Sequence, residues 1–181
     1  VAYEGDLDQL RESLVKGRPV IVALDTGRGR NHDVVVTGID DTNSEVVLHG
    51  YAQWGEALVE RLNGMFGFAI WDQRRQTLLV GRDRLGIKPI YWFDDGKRVA
   101  FASEAKALLE LPGVARAVDP TALAAYLELG YVPSPLSMFR GIRKLPIAAL
   151  LKVTPQGASV SSYWQPPTAV DSSVSAADWV Q

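Results

Sequence analysis

Met65-Phe66-Gly67-Phe68-Ala69-Ile70-Trp71, then Asp72-Gln73-Arg74-Arg75-Gln76, then Thr77-Leu78-Leu79-Val80-Gly81 is the stretch that sets the fold class. Met65–Trp71 is apolar at both alternating positions, with Phe66, Phe68 and Ile70 on one face and Met65, Ala69 and Trp71 on the other. A strand with two apolar faces must be covered on both sides. The polar Asp72–Gln76 step reads as a turn, so residues 65–81 form a hairpin. A second hairpin joins Ile90–Phe93 to Arg98–Ala102 through Asp94-Asp95-Gly96-Lys97, which predicts a type I′ turn.

Helical patterns flank this strand block. Thr42 with Glu45 reads as a capping box opening a helix whose apolar stripe is Val47, Gly50, Tyr51 and Trp54. Gly55 interrupts it, and a short helix carrying Leu58, Val59 and Leu62 ends at Asn63-Gly64. Downstream, Ser103–Glu110 and Asp119–Glu128 read as helices, the second with Asp119 as cap and Pro120 at its first position. Leu123, Tyr126 and Leu127 are expected to form its buried face. Ile147–Val153 and Val160–Tyr163 read as strands, and Gln165 onward as a tail. Upstream, Asp6 opens a helix with Leu7, Leu10 and Leu14 in register. Pro19–Leu24 and Asp33–Ile39 are β-branched runs on either side of the glycine-rich Asp25–Asn31 loop. The sum is an α+β class with a doubly covered antiparallel sheet flanked by helices.

Composition excludes several functions. The 181 residues are 47% apolar with a net charge of -2, which supports a packed core and gives no electrostatic case for binding nucleic acid. No apolar run reaches the roughly 18 residues of a membrane helix, and no charged-then-apolar leader opens the chain, so no membrane contact and a cytoplasmic setting are expected. None of the 181 residues is cysteine, which removes disulfides, Cys-zinc sites and every thiol nucleophile.

Longer words of sequence carry chemistry. Glu45–Tyr51 precedes Trp54-Gly55, and then come Glu60-Arg61-Leu62-Asn63-Gly64-Met65-Phe66 and Phe68-Ala69-Ile70-Trp71-Asp72. Next are Arg82-Asp83-Arg84-Leu85-Gly86-Ile87-Lys88-Pro89-Ile90-Tyr91 and Phe101-Ala102-Ser103-Glu104-Ala105-Lys106-Ala107-Leu108. The series ends with Gly130-Tyr131-Val132-Pro133 and Phe139-Arg140-Gly141-Ile142-Arg143-Lys144-Leu145-Pro146. In this order and spacing they resemble the glutamine-hydrolysing asparagine synthetases, over about residues 44–167. The part resembled is the second half of the amino-terminal glutamine amidotransferase domain.

That resemblance implies an Ntn-hydrolase-like antiparallel β-sandwich flanked by helices, here incomplete at its N-terminal side. In that family an amino-terminal cysteine attacks the side-chain amide of glutamine, with its own α-amino group as base, and ammonia passes to an ATP-using synthetase domain. The present sequence departs from the pattern where that chemistry would sit. Its first residue is Val1, and the family's Arg-Gly-Pro and Asn-Gly-Glu segments are not found. The family's Ser-Asp-Thr-Glu, whose Asp holds the glutamine α-amino group, reads Thr42-Asn43-Ser44-Glu45. Asn43 therefore stands as the substrate-binding candidate, with an amide in place of the charge that would pair with an ammonium.

Residues 1–42 form a foreign or rearranged helix plus two strands. They weakly resemble papain-like cysteine peptidases of the bacteriocin-processing type, a likeness that would place the general base on His32. A competing register treats Tyr3–Val22 as the amidotransferase's own helix and strand, followed by an insertion. Without a cysteine partner, His32 reads as vestigial or structural. The expected organisation is thus 1–42, an amidotransferase-like unit at 43–164, and a linker or tail at 165–181.

Other tempting residues have plainer readings. His49 has no second ligand at metal spacing, so no metal is expected, and no cofactor. Gly27-Arg28-Gly29-Arg30 lacks the Lys-Ser/Thr of a phosphate loop and reads as a hairpin loop. Arg82-Asp83-Arg84 with Lys88 reads either as a salt-bridged sheet rim or as a docking patch for a synthetase domain. Trp54, Phe66, Phe68, Trp71, Trp92 and Phe101 read as core.

The expected function is an asparagine synthetase-like amidotransferase domain without its nucleophile, inactive alone, and structural or partner-binding. The alternative is amidotransferase or papain-like peptidase activity completed by a cysteine supplied in trans. Expected partners are a second copy, a complementing polypeptide or a docked synthetase domain. A truncated sandwich exposes strand edges, so the 19–24 and 33–39 runs are expected to pair with the 65–71 or 77–81 strands, or with those of a second copy.

Overall fold

The computed structural model describes residues 22–25, 41–72 and 74–168. Strand β1 is Val22–Asp25. Helix α1 runs Asp41–Trp54 and passes through a 3-10 turn at Gly55–Ala57 into α2, Leu58–Arg61. The break falls at Gly55, whose φ of +59° a side chain would oppose. Strands β2 (Gly67–Asp72) and β3 (Thr77–Arg82) follow, then β4 (Tyr91–Asp94), β5 (Arg98–Ala102) and α3 (Ala105–Leu108).

Helix α4, Pro120–Leu129, is locally well specified. The Asp119 carboxylate accepts the Thr121 and Ala122 N–H groups at 2.8 and 3.2 Å, Pro120 occupies the first position, and Gly130 closes the far end in the left-handed region. The short β6 (Ile142–Lys144), then β7 (Ala149–Thr154) and β8 (Gly157–Ser162) complete the described elements.

The strands form two antiparallel sheets, ordered β1-β5-β4-β6 and β2-β3-β7-β8. Their facing sides share one core, in which Ala69, Leu78, Val80, Leu151 and Val153 of one sheet meet Ile90, Trp92, Val99, Phe101 and Leu145 on the side of the other. The outer face of the second sheet (Phe68, Ile70, Leu79, Leu150) is covered by Val47 of α1 and by Leu58 and Val59 of α2. The outer face of the first (Phe93, Ala100, Ala102, Ile142) is covered by Ala107 and Leu108 of α3 with Leu111 and Val114. This layering of helix, sheet, sheet and helix is the α+β arrangement that the doubly apolar strands demanded. Among the described residues no helix is long and apolar enough to cross a membrane.

Several sequence expectations change. β1 pairs with β5 (Val22 opposite Phe101, Asp25 opposite Arg98), in the sheet opposite to the 65–71 and 77–81 strands expected for it. The 33–39 run, the helix from Asp6 and the Asp25–Asn31 loop, past Asp25 itself, lie outside the described residues. Helix α1 starts at Asp41, so Thr42 is inside the helix and not its cap. The Asp94–Lys97 connection is not type I′, because among Asp95 and Gly96 only Gly96 has a positive φ. Carboxylates shape the turn instead: Asp94 accepts the Gly96 N–H at 2.8 Å, and Asp95 accepts those of Lys97 and Arg98 at 2.9 Å. Trp54 is 38% exposed, with the Arg61 guanidinium 4.6 Å from its ring centre, so it is not core. Leu123, Tyr126 and Leu127 of α4 face outward; the buried residue of that helix is Ala122.

The close pairing of β2 and β3 has a steric key. Phe68 lies directly opposite Gly81, and a Cβ placed on Gly81 would come within 2.5 Å of the Phe68 ring. With Phe68 1% exposed, the ring has nowhere to go. Gly81→Ala is expected to destabilise the chain by about 1–3 kcal/mol in urea unfolding. The double variant with Phe68→Leu should recover part of that loss, and strictly additive costs would show that the ring is not the obstacle.

Candidate functional site

One end of the sandwich is built by two adjacent residues at the close of β3. Asp83, 1% exposed, accepts the backbone N–H groups of Ile87 and Lys88 at 2.9 Å each. Its own N–H donates to the Phe66 carbonyl at 3.0 Å, while its carbonyl accepts from Gly86 and Ala148 at 3.1 and 3.0 Å. The Arg82 guanidinium donates to the carbonyls of Lys88 (2.9 Å), Gly86 (2.6 Å) and Leu145 (2.5 Å). Burial pulls this guanidinium below its ordinary value, against the opposing pull of Asp83 and Tyr91. Arg84 donates to Leu62 and Glu60 carbonyls at 2.7 and 2.9 Å, capping the end of α2. The 83–89 loop is therefore held from three sides by side chains of its own beginning.

The exit of the last strand is tied to the same place. The Tyr163 hydroxyl donates to the Arg82 carbonyl at 2.8 Å, and its N–H to the Ala148 carbonyl at 2.9 Å. Burial, with the nearby Asp83 charge, pushes the Tyr163 phenol up to about 12 although Arg84 opposes it. At the other end of β2 the Tyr51 hydroxyl donates to Asp72 at 3.0 Å, joining α1 to the sheet, and burial raises this phenol too. Burial works against the Asp72 charge, yet the Arg75 N–H and the Tyr51 hydroxyl hold its carboxyl below the ordinary value.

What this end presents outward is apolar. Leu85, Ile87 and Ile147 are 71%, 54% and 48% exposed, and Ile147 packs against Gly86, whose φ is +66°. Beyond Lys88 the loop leads to an open cleft of about 330 Å³, lined by Pro89, Tyr91, Ser103, Glu104, Ala105 and Lys106. Glu104 and Lys106 pair with each other there. Ser103 has no histidine among these neighbours to activate it.

The residues singled out by sequence fall as follows. His32 lies outside the described residues. Asn43 sits in the first turn of α1. His49 is on the exposed side of α1, and among the described residues no group of three or more His, Cys, Asp or Glu is placed to hold a metal ion. The Arg82-Asp83-Arg84 cluster is not a salt-bridged rim: its two guanidiniums serve carbonyls and its carboxylate serves amides. The apolar cap of Leu85, Ile87 and Ile147 escaped the sequence reading. Its signal was two bulky apolar residues flanking a glycine ahead of a proline, where neither helix nor strand can bury them.

The class of this two-sheet α+β sandwich comes from the comparisons with known proteins. The chain belongs to the glutamine amidotransferase domain family, whose model matches residues 33–164, beginning ahead of the Ser44 boundary drawn from the motifs. Within it, the chain is of asparagine synthetase type. It is 38% identical over 138 residues to asparagine synthetase [glutamine-hydrolyzing] 3 of Bacillus subtilis, covering 76% of this chain and 22% of that protein. It is 40% identical over 116 residues to a putative asparagine synthetase [glutamine-hydrolyzing] of Mycobacterium tuberculosis, covering 62% and 18%. The chain thus spans about a fifth of the length of these curated relatives. A solved glutamine phosphoribosylpyrophosphate amidotransferase from Bacillus subtilis aligns with a TM-score of 0.43 at 16% identity, covering 87% of this chain and 26% of that one.

Asp83→Ala leaves two amides without acceptors and is expected to cost about 2–5 kcal/mol in urea unfolding, with Asp83→Asn, which keeps one acceptor oxygen, costing less. Stability should also fall in alkali. Because the folded Tyr163 phenol titrates near 12 against an ordinary 10.0, its contribution is complete below pH 10.0 and is lost as pH climbs towards 12. Unfolding curves across that window should be flatter for Tyr163→Phe than for the native chain.

Proposed function

We propose that this polypeptide is the supporting part of an asparagine synthetase-type glutamine amidotransferase domain, silent towards glutamine on its own and acting through the partner it carries. The observation behind this reading is the absence of cysteine from all 181 residues, in a family whose relatives are named glutamine-hydrolysing. Hydrolysing a carboxamide through an acyl intermediate needs an activated nucleophile, and the resemblance places that role on a cysteine. The amide of Asn43, where the resemblance places an aspartate, also lacks the charge that would hold a substrate ammonium.

A second reading has the specific support of the 38% identity to a glutamine-hydrolysing relative: hydrolysis completed by a cysteine on another polypeptide. Papain-like chemistry on His32 would need the same donation. One assay separates these readings. The purified chain is incubated with glutamine and glutamate release is followed, first unaided and then with the polypeptide encoded immediately upstream. No release in either arm supports the silent scaffold, release only with the second polypeptide supports completion in trans, and release by the unaided chain overturns both.

A further inference from the structure

We propose that Asn63-Gly64 is a self-modifying site, at which the backbone nitrogen of Gly64 attacks the side-chain carbonyl carbon of Asn63. A bond forms between that nitrogen and Cγ, the Cγ–Nδ2 bond breaks, and ammonia leaves with the proton that the nitrogen held. Water then opens the cyclic imide at either carbonyl. Opening at Cγ gives aspartate. Opening at the main-chain carbonyl gives isoaspartate, in which the backbone runs through the former side chain. Water is the sole co-reactant.

Sequence and geometry both select this pair. Asparagine has the side-chain length that closes a small ring on the next nitrogen, and glycine has no Cβ to block the approach. Of the asparagines, Asn63 alone precedes a glycine; Asn43 precedes Ser44 inside α1, and Asn31 precedes His32 outside the described residues. Asn63, Gly64 and Met65 are all exposed, on the irregular step between α2 and β2. Nothing lies within 4 Å of the point where a Gly64 Cβ would stand. Among the described residues no hydrogen bond engages the Asn63 amide or the Gly64 N–H, so neither reacting group is held away from the other. The step is anchored on both sides, by Arg84 donating to the Leu62 carbonyl at 2.7 Å and by the Asp83 N–H donating to the Phe66 carbonyl at 3.0 Å.

The Asp95-Gly96 pair has the same bond-forming chemistry, with water as the group that leaves, in the opposite setting. Its attacking nitrogen is occupied, since the Gly96 N–H donates to Asp94 at 2.8 Å. Its carboxylate accepts the N–H groups of Lys97 and Arg98 at 2.9 Å and the Arg98 guanidinium at 3.0 Å. Those bonds, the Lys97 N–H foremost, hold the carboxyl below its ordinary value, and an ionised carboxylate is a poor electrophile. One pair is therefore poised to react and the other protected. A practical consequence is that each molecule releases ammonia once with no glutamine present, so an ammonia readout would imitate amide hydrolysis where a glutamate readout would not.

The test ages the full 181-residue chain in mildly alkaline buffer made with heavy-oxygen water, without glutamine, and follows it by peptide mass spectrometry. The peptide holding Asn63 should exchange NH2 for OH, carry heavy oxygen and split into aspartyl and isoaspartyl forms as ammonia rises. Asn63→Gln should remove that mass change and most of the ammonia, with the melting temperature unchanged. Unfolding in guanidinium chloride should speed isoaspartate formation at Asp95 about tenfold or more, as its hydrogen bonds are lost, and at Asn63 by a smaller factor. An unaltered Asn63 peptide in the native chain would overturn the proposal. So would a greater acceleration on unfolding at Asn63 than at Asp95.

Discussion

The buried carboxylate of Asp83 is the constraint on which the described architecture turns. A charge removed from water is tolerated only where hydrogen bonds replace hydration, and here two amides of its own loop do so. Because the same residue's backbone reaches Phe66 on one side and Ala148 on the other, the loop is welded both to the start of β2 and to the approach to β7. Arg82 adds a second set of bonds from the preceding position, reaching Leu145. Two adjacent residues thus join both sheets at one end.

That economy accounts for what the sequence disclosed and what it withheld. The strand and hairpin pattern of residues 65–81 was plain, because burial on two faces forces apolar residues at every position. The outer helices followed from Val47, Leu58 and Val59 at helical spacing. β6 was not legible: three residues with one buried side chain, Ile142, give no alternation to read. The outward stripe of α4 misled, since a sequence shows that a helix has an apolar side but not whether anything lies against it. The site was half legible. Arg82-Asp83-Arg84 stood out as charge, but charge alone does not distinguish pairing with another side chain from capping a carbonyl. The exposed cap went unread because isolated apolar loop residues carry no periodicity.

The words that resemble the asparagine synthetases fall on α1, the hairpins, the pinned loop and α3. A scaffold of this kind can be retained for what it holds in place, because its layers are stabilised by side-chain burial and backbone pairing that need no reactive group.

The order of the second sheet has a consequence for how the molecule comes into being. β3 is flanked by β2 and β7, with Leu78 opposite Val153, so its second neighbour is a strand that begins only at Ala149. Until then a nascent polypeptide emerging from the ribosome carries an apolar hairpin with one side unsatisfied, while the chain between Arg82 and Ala149 must already find its place in the other sheet. Closing so long a loop is entropically slow, and high contact order of this kind delays folding. The β3–β7 pairing is therefore a long-range contact of the kind that forms slowly and leaves a strand edge open until it does.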